Sequence, residues 1–348
     1  MTEILWENRL LSELPVVVYG MGDGADKLFE ACEKKGIKIS GMMASDGFLR
    51  KHTFNGFEVL SLAKTQERFG NFVILLAFGS KNDDVISMIK DISKKHPLFA
   101  PDLMLFGENL FDKDFYNSNE KEFLSAHDLL ADEQSKKSFE GIINYKLSGR
   151  LDYLFDVETD FSEVFQILEP EKIKTAIDGG AYNGDTAREM LEKCHSLEKI
   201  FAFEPDTKNF RKLDTWISQS GQNNVFAQNK ALWSENSLLH FNRKAARGSF
   251  LTNGGIGQEV DAISVDSLFS DVPIDYLKLD VEGSEFEALK GAAGVIKRYK
   301  PQLNIALYHR PEDMFLLPSF IKNLNPDYKL YLRKHKSIPA WDVCLYAI

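Results

Sequence analysis

The segment Thr175-Ala176-Ile177-Asp178-Gly179-Gly180-Ala181-Tyr182-Asn183-Gly184-Asp185 constrains this chain more than any other. Its short apolar run reads as a buried strand of a parallel sheet. The glycines mark a tight turn, and Asp185–Lys193 reads as a helix. Strand, glycine-rich turn and helix in that order open a βαβ unit. The helix N-terminus presents unpaired N–H groups, and small residues before it let the backbone approach an anionic group closely. Asp178 ends the strand, where it can accept from an amino group. Glycines that serve packing alone are the competing reading, since such turns are common.

The theme recurs along the chain. Candidate strands at Ile200–Glu204, Asn224–Asn229, Ile274–Asp280 and Gln302–Tyr308 follow, with helices between most of them, such as Glu285–Arg298. Tyr328–Lys334 and Trp341–Ala347 are strand-like and joined by too short a loop for a crossover, which predicts an antiparallel hairpin. Nearer the start, Pro15–Tyr19, Ile37–Met43 and Phe72–Phe78 read as strands, with helices after Gly24 and over Asp83–Lys94. A parallel sheet covered by helices is expected there too. Between them, Asp132 is placed to cap a helix carrying Phe139, Ile142, Ile143 and Leu147 on one stripe. We therefore read three parts: a Rossmann-like domain over 1–110, a helical connector over 111–169 that packs on the second domain, and a larger α/β domain over 170–348.

Acids at strand ends single out the second domain. Glu204 follows Ile200-Phe201-Ala202-Phe203 and precedes Pro205-Asp206, where an acid can accept from two ribose hydroxyls. Asp280-Val281-Glu282-Gly283-Ser284-Glu285 follows Tyr276-Leu277-Lys278-Leu279, placing Asp280 and Glu282 at the carboxyl edge, where open α/β sheets bind ligands. Ser284 and Glu285 read as a helix start, with Glu285 favourable to the dipole. Tyr308-His309-Arg310 ends the next strand, and a histidine there suits a proton acceptor.

Taken together, Asp178–Asp185, Phe203-Glu204-Pro205-Asp206, Leu277–Gly283, Tyr308-His309-Arg310 and Cys344-Leu345-Tyr346-Ala347 resemble the FkbM family of methyltransferases. The resemblance implies a class I fold, a parallel sheet closed by an antiparallel hairpin. It implies S-adenosylmethionine as cofactor, with roles for Asp178, Gly180 and Glu204; the rest of the two turns, Ala181, Tyr182, Asn183, Gly184, Asp185, Pro205 and Asp206, is expected to line the same cofactor. Lys230-Ala231-Leu232 matches the family segment lining the adenine. The activity implied is O-methylation of a sugar hydroxyl of a polysaccharide, glycan or sugar-nucleotide precursor. The family does not settle the base or a metal; from their strand-end places, His309 is the expected base, Asp280 and Glu282 are expected to orient the hydroxyl or hold magnesium or manganese, and Tyr308 and Arg310 to meet the substrate.

The first domain lies outside those motifs. Gly20-x-Gly22-x-x-Ala25, with Gly24 and with Asp46 ending the next strand, resembles a nucleotide fingerprint. A nucleotide or sugar-nucleotide site competes there with a scaffold or homo-oligomer contact. An NAD-dependent sugar-nucleotide oxidoreductase is the rival activity, against which the lack of a Tyr-x-x-x-Lys pair counts; a non-catalytic sugar-binding or assembly protein is the other rival.

Composition narrows the partners. The formal net charge of −10 argues against a nucleic-acid ligand. Phe72–Phe78 is too short to span a membrane. The opening MTEILWENRLLSELP is acidic and lacks a secretory core, so a cytoplasmic protein is expected. Cys32, Cys194 and Cys344 form no CxxC pair, which disfavours a zinc site or disulfide framework. The basic clusters Arg243–Arg247 and Arg333–Lys336 read as solvated surface, the alternative being contact with a phosphate.

Overall fold

The structure is a computed structural model describing residues 3–49, 53–103, 110–244, 248–252 and 258–348; within 241–258 only backbone is described. The cluster Arg243–Arg247 therefore lies outside the described side chains. The chain divides into two compact units. One comprises Met1–Glu120, Lys137–Glu158 and Lys334–Asp342, the other Lys121–Lys136, Thr159–Arg333 and Val343–Ile348. The stretch 111–169 is helical, and is shared between the two units.

In the first unit, β1 (Val16–Tyr19), β2 (Ile39–Met43), β3 (Thr53–Phe54), β4 (Phe57–Leu60), β5 (Val73–Leu76) and β6 (Leu98–Phe99) form one sheet in the order β3-β4-β2-β1-β5-β6. All pairings are parallel except β3 with β4. The β-branched residues of β1 and β5 are buried throughout, as expected for strands covered on both faces. Helices Asp23–Lys34 and Asp83–Ser93 fall where the sequence places them. The hairpin of β3 and β4 is too short to show in the hydrophobic pattern.

In the second unit, β7 (Thr175–Gly179), β8 (Lys199–Phe203) and β9 (Val225–Gln228) are followed by a separate sheet of β10 (Ala231–Leu232), β11 (Ser237–Lys244), β12 (Gly248–Thr252) and β13 (Gln258–Ile263). Then come β14 (Tyr276–Leu279), β15 (Gln302–Ala306), β16 (Leu330–Lys334) and β17 (Val343–Ala347). The main sheet has seven strands in the order β16-β17-β15-β14-β7-β8-β9. Its β17 runs antiparallel to β15, and the paired N–H···O bonds of Lys329 and Ile348 mark the antiparallel hairpin with β16. The chain moves outward from β7 in one direction, then returns to β14 on the other side. That reversal between β7 and β14 opens a crevice at their carboxyl ends.

Three expectations are corrected. The four-stranded sheet after β9 was not foreseen: Leu239, Val260 and Ala262 form its small core while Leu238 is exposed, a one-sided pattern too short to stand out. The helix read over Glu285–Arg298 is two helices, Glu285–Lys290 and Ala293–Tyr299. The break is at Gly291, where a Cβ would meet the Trp233 carbonyl at 2.0 Å. The basic run at Arg333 is not solvated surface. Arg333, Lys334 and His335 are buried. Arg333 pairs with Asp132 at 2.6 Å, and Lys334 donates to the Ser337 carbonyl at 2.8 Å. Among the described residues, no helix is long and apolar enough to cross a membrane.

Candidate active site

Parallel strands deliver their last residues to one edge, and in the second unit that edge gathers the residues singled out above. Asp178 leaves β7 fully buried, opposite Lys278 of β14 in the strand register. Lys278 Nζ lies 3.1 Å from Asp178 Oδ1 and donates to the Gly180 carbonyl at 3.1 Å. The ion pair is too poorly aligned to be a hydrogen bond, so both carboxylate oxygens of Asp178 are buried without a hydrogen-bond partner. Burial pushes the Asp178 carboxyl up, and Lys278 pulls it back. Burial alone would lower the Lys278 ammonium, but the charges of Asp178 and Asp280 outweigh it and raise it. A buried carboxylate with an ion pair but no hydrogen bond has lone pairs to spare, which suits a further cationic ligand group.

The turn after β7 is fixed by its neighbours. Gly180 has φ +80, and a Cβ there would stand 1.8 Å from the Asp280 carbonyl. The glycine is thus demanded by the approach of β14, whatever ligand lies above. Ala181 is buried, Tyr182 exposed with φ 45, and Gly184 caps the helix that starts at Asp185. Arg188 holds the turn from below, donating to the Asn183 carbonyl at 3.0 Å.

Glu204 ends β8 against this turn. Its Oε2 accepts from Tyr182 N–H and its Oε1 from Asp206 N–H, both at 2.8 Å. Each carboxylate oxygen keeps a second lone pair. Burial pushes its carboxyl up to about 7, the two backbone donors notwithstanding. Asp206 caps the helix Thr207–Ser220. Asn229 donates to the carbonyls of Glu204 and Pro205, tying β9 to the same corner. Lys230 is half-buried; Ala231 and Leu232 form β10, outside the seven-stranded sheet, and Leu232 reaches back to Gly179.

On the other side of the crevice Asp280, Glu282 and His309 converge. His309 Nε2 is 3.6 Å from Asp280 Oδ1 and 3.5 Å from Glu282 Oε2. Tyr308 donates to Asp280 Oδ1 at 3.0 Å, and Arg310 Nε donates to the Gly283 carbonyl at 2.7 Å. Glu285 does more than the helix-start reading gave it. Ser284 makes no side-chain cap, while Glu285 Oε1 meets His309 Nδ1 and accepts from Val281 N–H, each at 2.8 Å. Asp313, buried close by, accepts from Arg310 N–H. Burial alone would lower the His309 imidazole, but Glu285, Asp280 and Glu282 outweigh it and push it up to about 10. An imidazole so placed carries its proton at neutral pH, which departs from the expectation of a neutral base. Lys278, Glu285 and Asp313 were missed because each reads as ordinary in sequence; only a lysine inside an otherwise apolar strand was a visible signal.

The glycine cluster of the first unit is differently furnished. Gly24 lies under the Ala77 carbonyl, where a Cβ would come within 2.1 Å, so it closes helix onto strand. The Phe78 ring lies against Gly20, and the Trp341 ring against Gly79. Ser80 and Ile338 exchange backbone hydrogen bonds at 2.7 and 3.0 Å. Asp23 and Asp26 occupy the first turn of the helix, and Asp46 is exposed beyond β2. Those acids already complement the helix dipole that a phosphate would use.

Residues 178–337 match the family model described as the methyltransferase FkbM domain. No curated protein matches the chain in sequence. Among solved structures, methyltransferase FkbM from Methylobacillus flagellatus is 20% identical, covering 96% of this chain and 90% of that one with a TM-score of 0.76. That likeness is one of fold. An rRNA methylase from Streptococcus thermophilus is 14% identical over 51% of this chain and 87% of that one, with a TM-score of only 0.35. The order of the seven strands and the furnished turn after β7 agree with the family match, and residues 178–337 are similar to the methyltransferase FkbM domain.

Proposed function

We propose that the second unit is an S-adenosylmethionine-dependent O-methyltransferase acting on a sugar hydroxyl. The observation that carries this is the pairing, across one crevice, of a cofactor-like half (Asp178, the turn to Asp185, Glu204) with a polar acceptor half (Asp280, Glu282, Tyr308, His309, Arg310). S-adenosylmethionine, when bound, supplies an electrophilic methyl group on a sulfonium. The buried Asp178 carboxylate, ion-paired with Lys278 but accepting no hydrogen bond, fits the cofactor's amino group, the N–H groups at the start of helix Asp185–Lys193 fit its carboxylate, and the spare lone pairs of Glu204 fit its ribose hydroxyls. Lys230, Ala231 and Leu232 follow β9 on the adenine side.

The acceptor half is acidic and hydrogen-bonding, which suits a polyol better than an aromatic ring. Asp280 and Glu282 accept from the sugar hydroxyls and point one oxygen at the methyl group. The hydroxyl proton would pass to Asp280 or Glu282, since the His309 imidazole between them already carries its own. Orientation of two reactants and control of one proton are what the protein contributes. For the first unit we favour a scaffold role over a nucleotide site, because rings of this chain lie against its glycines.

The test is incubation of the full chain with methyl-labelled S-adenosylmethionine and a panel of polysaccharides, free sugars and sugar nucleotides. Label on a sugar oxygen supports the reading. Label on nitrogen or carbon, or on nucleic acid alone, overturns the acceptor assignment.

A further inference from the structure

We propose that Glu285 is a positioning residue: by accepting from His309 Nδ1–H it fixes the imidazole so that Nε2 faces Asp280 and Glu282 together. Its role, though not its geometry, rests on the methyl transfer proposed above. Glu285 Oε1 lies 2.8 Å from His309 Nδ1 and accepts from Val281 N–H, also at 2.8 Å. That oxygen is already an acceptor, so the proton it shares with the ring sits on Nδ1. Glu285 opens the helix Glu285–Lys290 after β14, and His309 follows β15, the strand paired with β14. Both side chains are buried, at 1% and 2% exposure, so neither has water as an alternative partner.

The consequence lies on the ring's other nitrogen. Nε2 is 3.6 Å from Asp280 Oδ1 and 3.5 Å from Glu282 Oε2, contacts of charge rather than hydrogen bonds. Two carboxylates facing one point repel, and one of them then tends to take up a proton. A cationic ring between them opposes that. Burial pushes the Glu282 carboxyl up, and the His309 charge is the largest influence holding it down, ahead of Lys278. Without that charge Glu282 moves towards holding a proton of its own, and cannot then take one from an acceptor hydroxyl.

Glu285 is what keeps the ring in this state. Burial alone would lower the imidazole, and Glu285 is the strongest of the charges that raise it, before Asp280 and Glu282. Asp313, on the helix Asp313–Leu324, does not stand in for it. Burial pushes the Asp313 carboxyl well up, with the Glu285 charge adding to the effect, and Asp313 accepts from Arg310 N–H instead.

The test is nuclear magnetic resonance of the full chain with its seven histidines labelled on the ring nitrogens. An ordinary imidazole is neutral at about pH 8.5, so one ring still protonated on both nitrogens is expected there. Its Nδ1 proton should show a through-space contact with the Val281 amide proton, because both point at one oxygen. In Glu285→Gln the midpoint of ring deprotonation should fall by about 1–3 pH units. Glu287→Gln, on the same helix but paired with Lys290, should leave it in place. Glu285→Gln should also slow methyl transfer by about 10²-fold through misplacement, with affinity for S-adenosylhomocysteine unchanged. A wild-type chain with no doubly protonated ring at about pH 8.5, no contact to the Val281 amide, or a midpoint unmoved in Glu285→Gln would overturn the proposal. The wild-type spectrum decides even where the variant does not fold. A chain that shows this ring but binds no S-adenosylhomocysteine refutes the methyltransferase reading and leaves the hold of Glu285 on His309 standing, so the two failures are distinguished.

Discussion

Gly180→Ala asks how tightly the turn after β7 is built. At φ +80 an L-residue costs about 1–2 kcal/mol in backbone strain. Its Cβ would also stand 1.8 Å from the Asp280 carbonyl oxygen and 2.8 Å from the carbonyl carbon. Both atoms are backbone at the end of β14, so neither can swing aside, and forced repacking adds about 1–3 kcal/mol. The expected loss is therefore about 2–5 kcal/mol. Gly221→Ala is the control in the same unit: φ is +64, nothing lies within 4 Å of a Cβ, and the loss should be only about 1 kcal/mol. Urea unfolding of both variants, with unchanged m-values, compares them directly. The shift at Gly180 also displaces the oxygen that Lys278 holds, so affinity for S-adenosylhomocysteine should fall with stability. If Gly180→Ala costs no more than Gly221→Ala, the close approach of β14 does not shape this turn.

Further outcomes follow from the same geometry. Lys278→Met leaves Asp178 buried and unpaired, and should cost about 3–5 kcal/mol by urea unfolding; a loss under 1 kcal/mol would mean the pair holds nothing. Glu204 supplies a pH dependence. Its carboxyl is raised to about 7 by burial, so its contribution to stability is present below about 4.5 and lost as pH rises through about 7. Ribose hydroxyls require the ionised form, so affinity for S-adenosylhomocysteine should be flat above about pH 7 and fall by up to about tenfold per unit below it. Calorimetry at pH 6 and pH 8 checks the sign. For the first unit, a thermal-shift screen of nucleotides should show no stabilisation if the scaffold reading is right.

Much of this was legible from one kind of signal, apolar runs that end in an acid or a glycine. That signal places β1, β5, β7, β8, β14 and β15, because buried parallel strands need continuous apolar residues and their carboxyl ends carry ligands. It fails where neither holds. β3, β4 and β10–β13 are short or one-sided, and their patterns do not stand out from loops. The buried run Arg333–His335 misled because charge reads as exposure, whereas Arg333 is neutralised by Asp132, two hundred residues away in sequence. Asp178, Glu204, Asp280 and His309 can be singled out in sequence because each stands at the end of an apolar strand. Glu285 was not: its value lies in facing His309 from another element, which spacing along the chain does not encode.

The account turns on the crevice between β7 and β14 being a methyl-donor site. Calorimetric titration of the full chain with S-adenosylhomocysteine tests that most directly. The account predicts one site per chain, weakened by about 1–3 kcal/mol in Glu204→Ala through lost hydrogen bonds to the ribose. A folded wild-type chain that takes up no S-adenosylhomocysteine, or Glu204→Ala binding it as tightly as wild type, would contradict it.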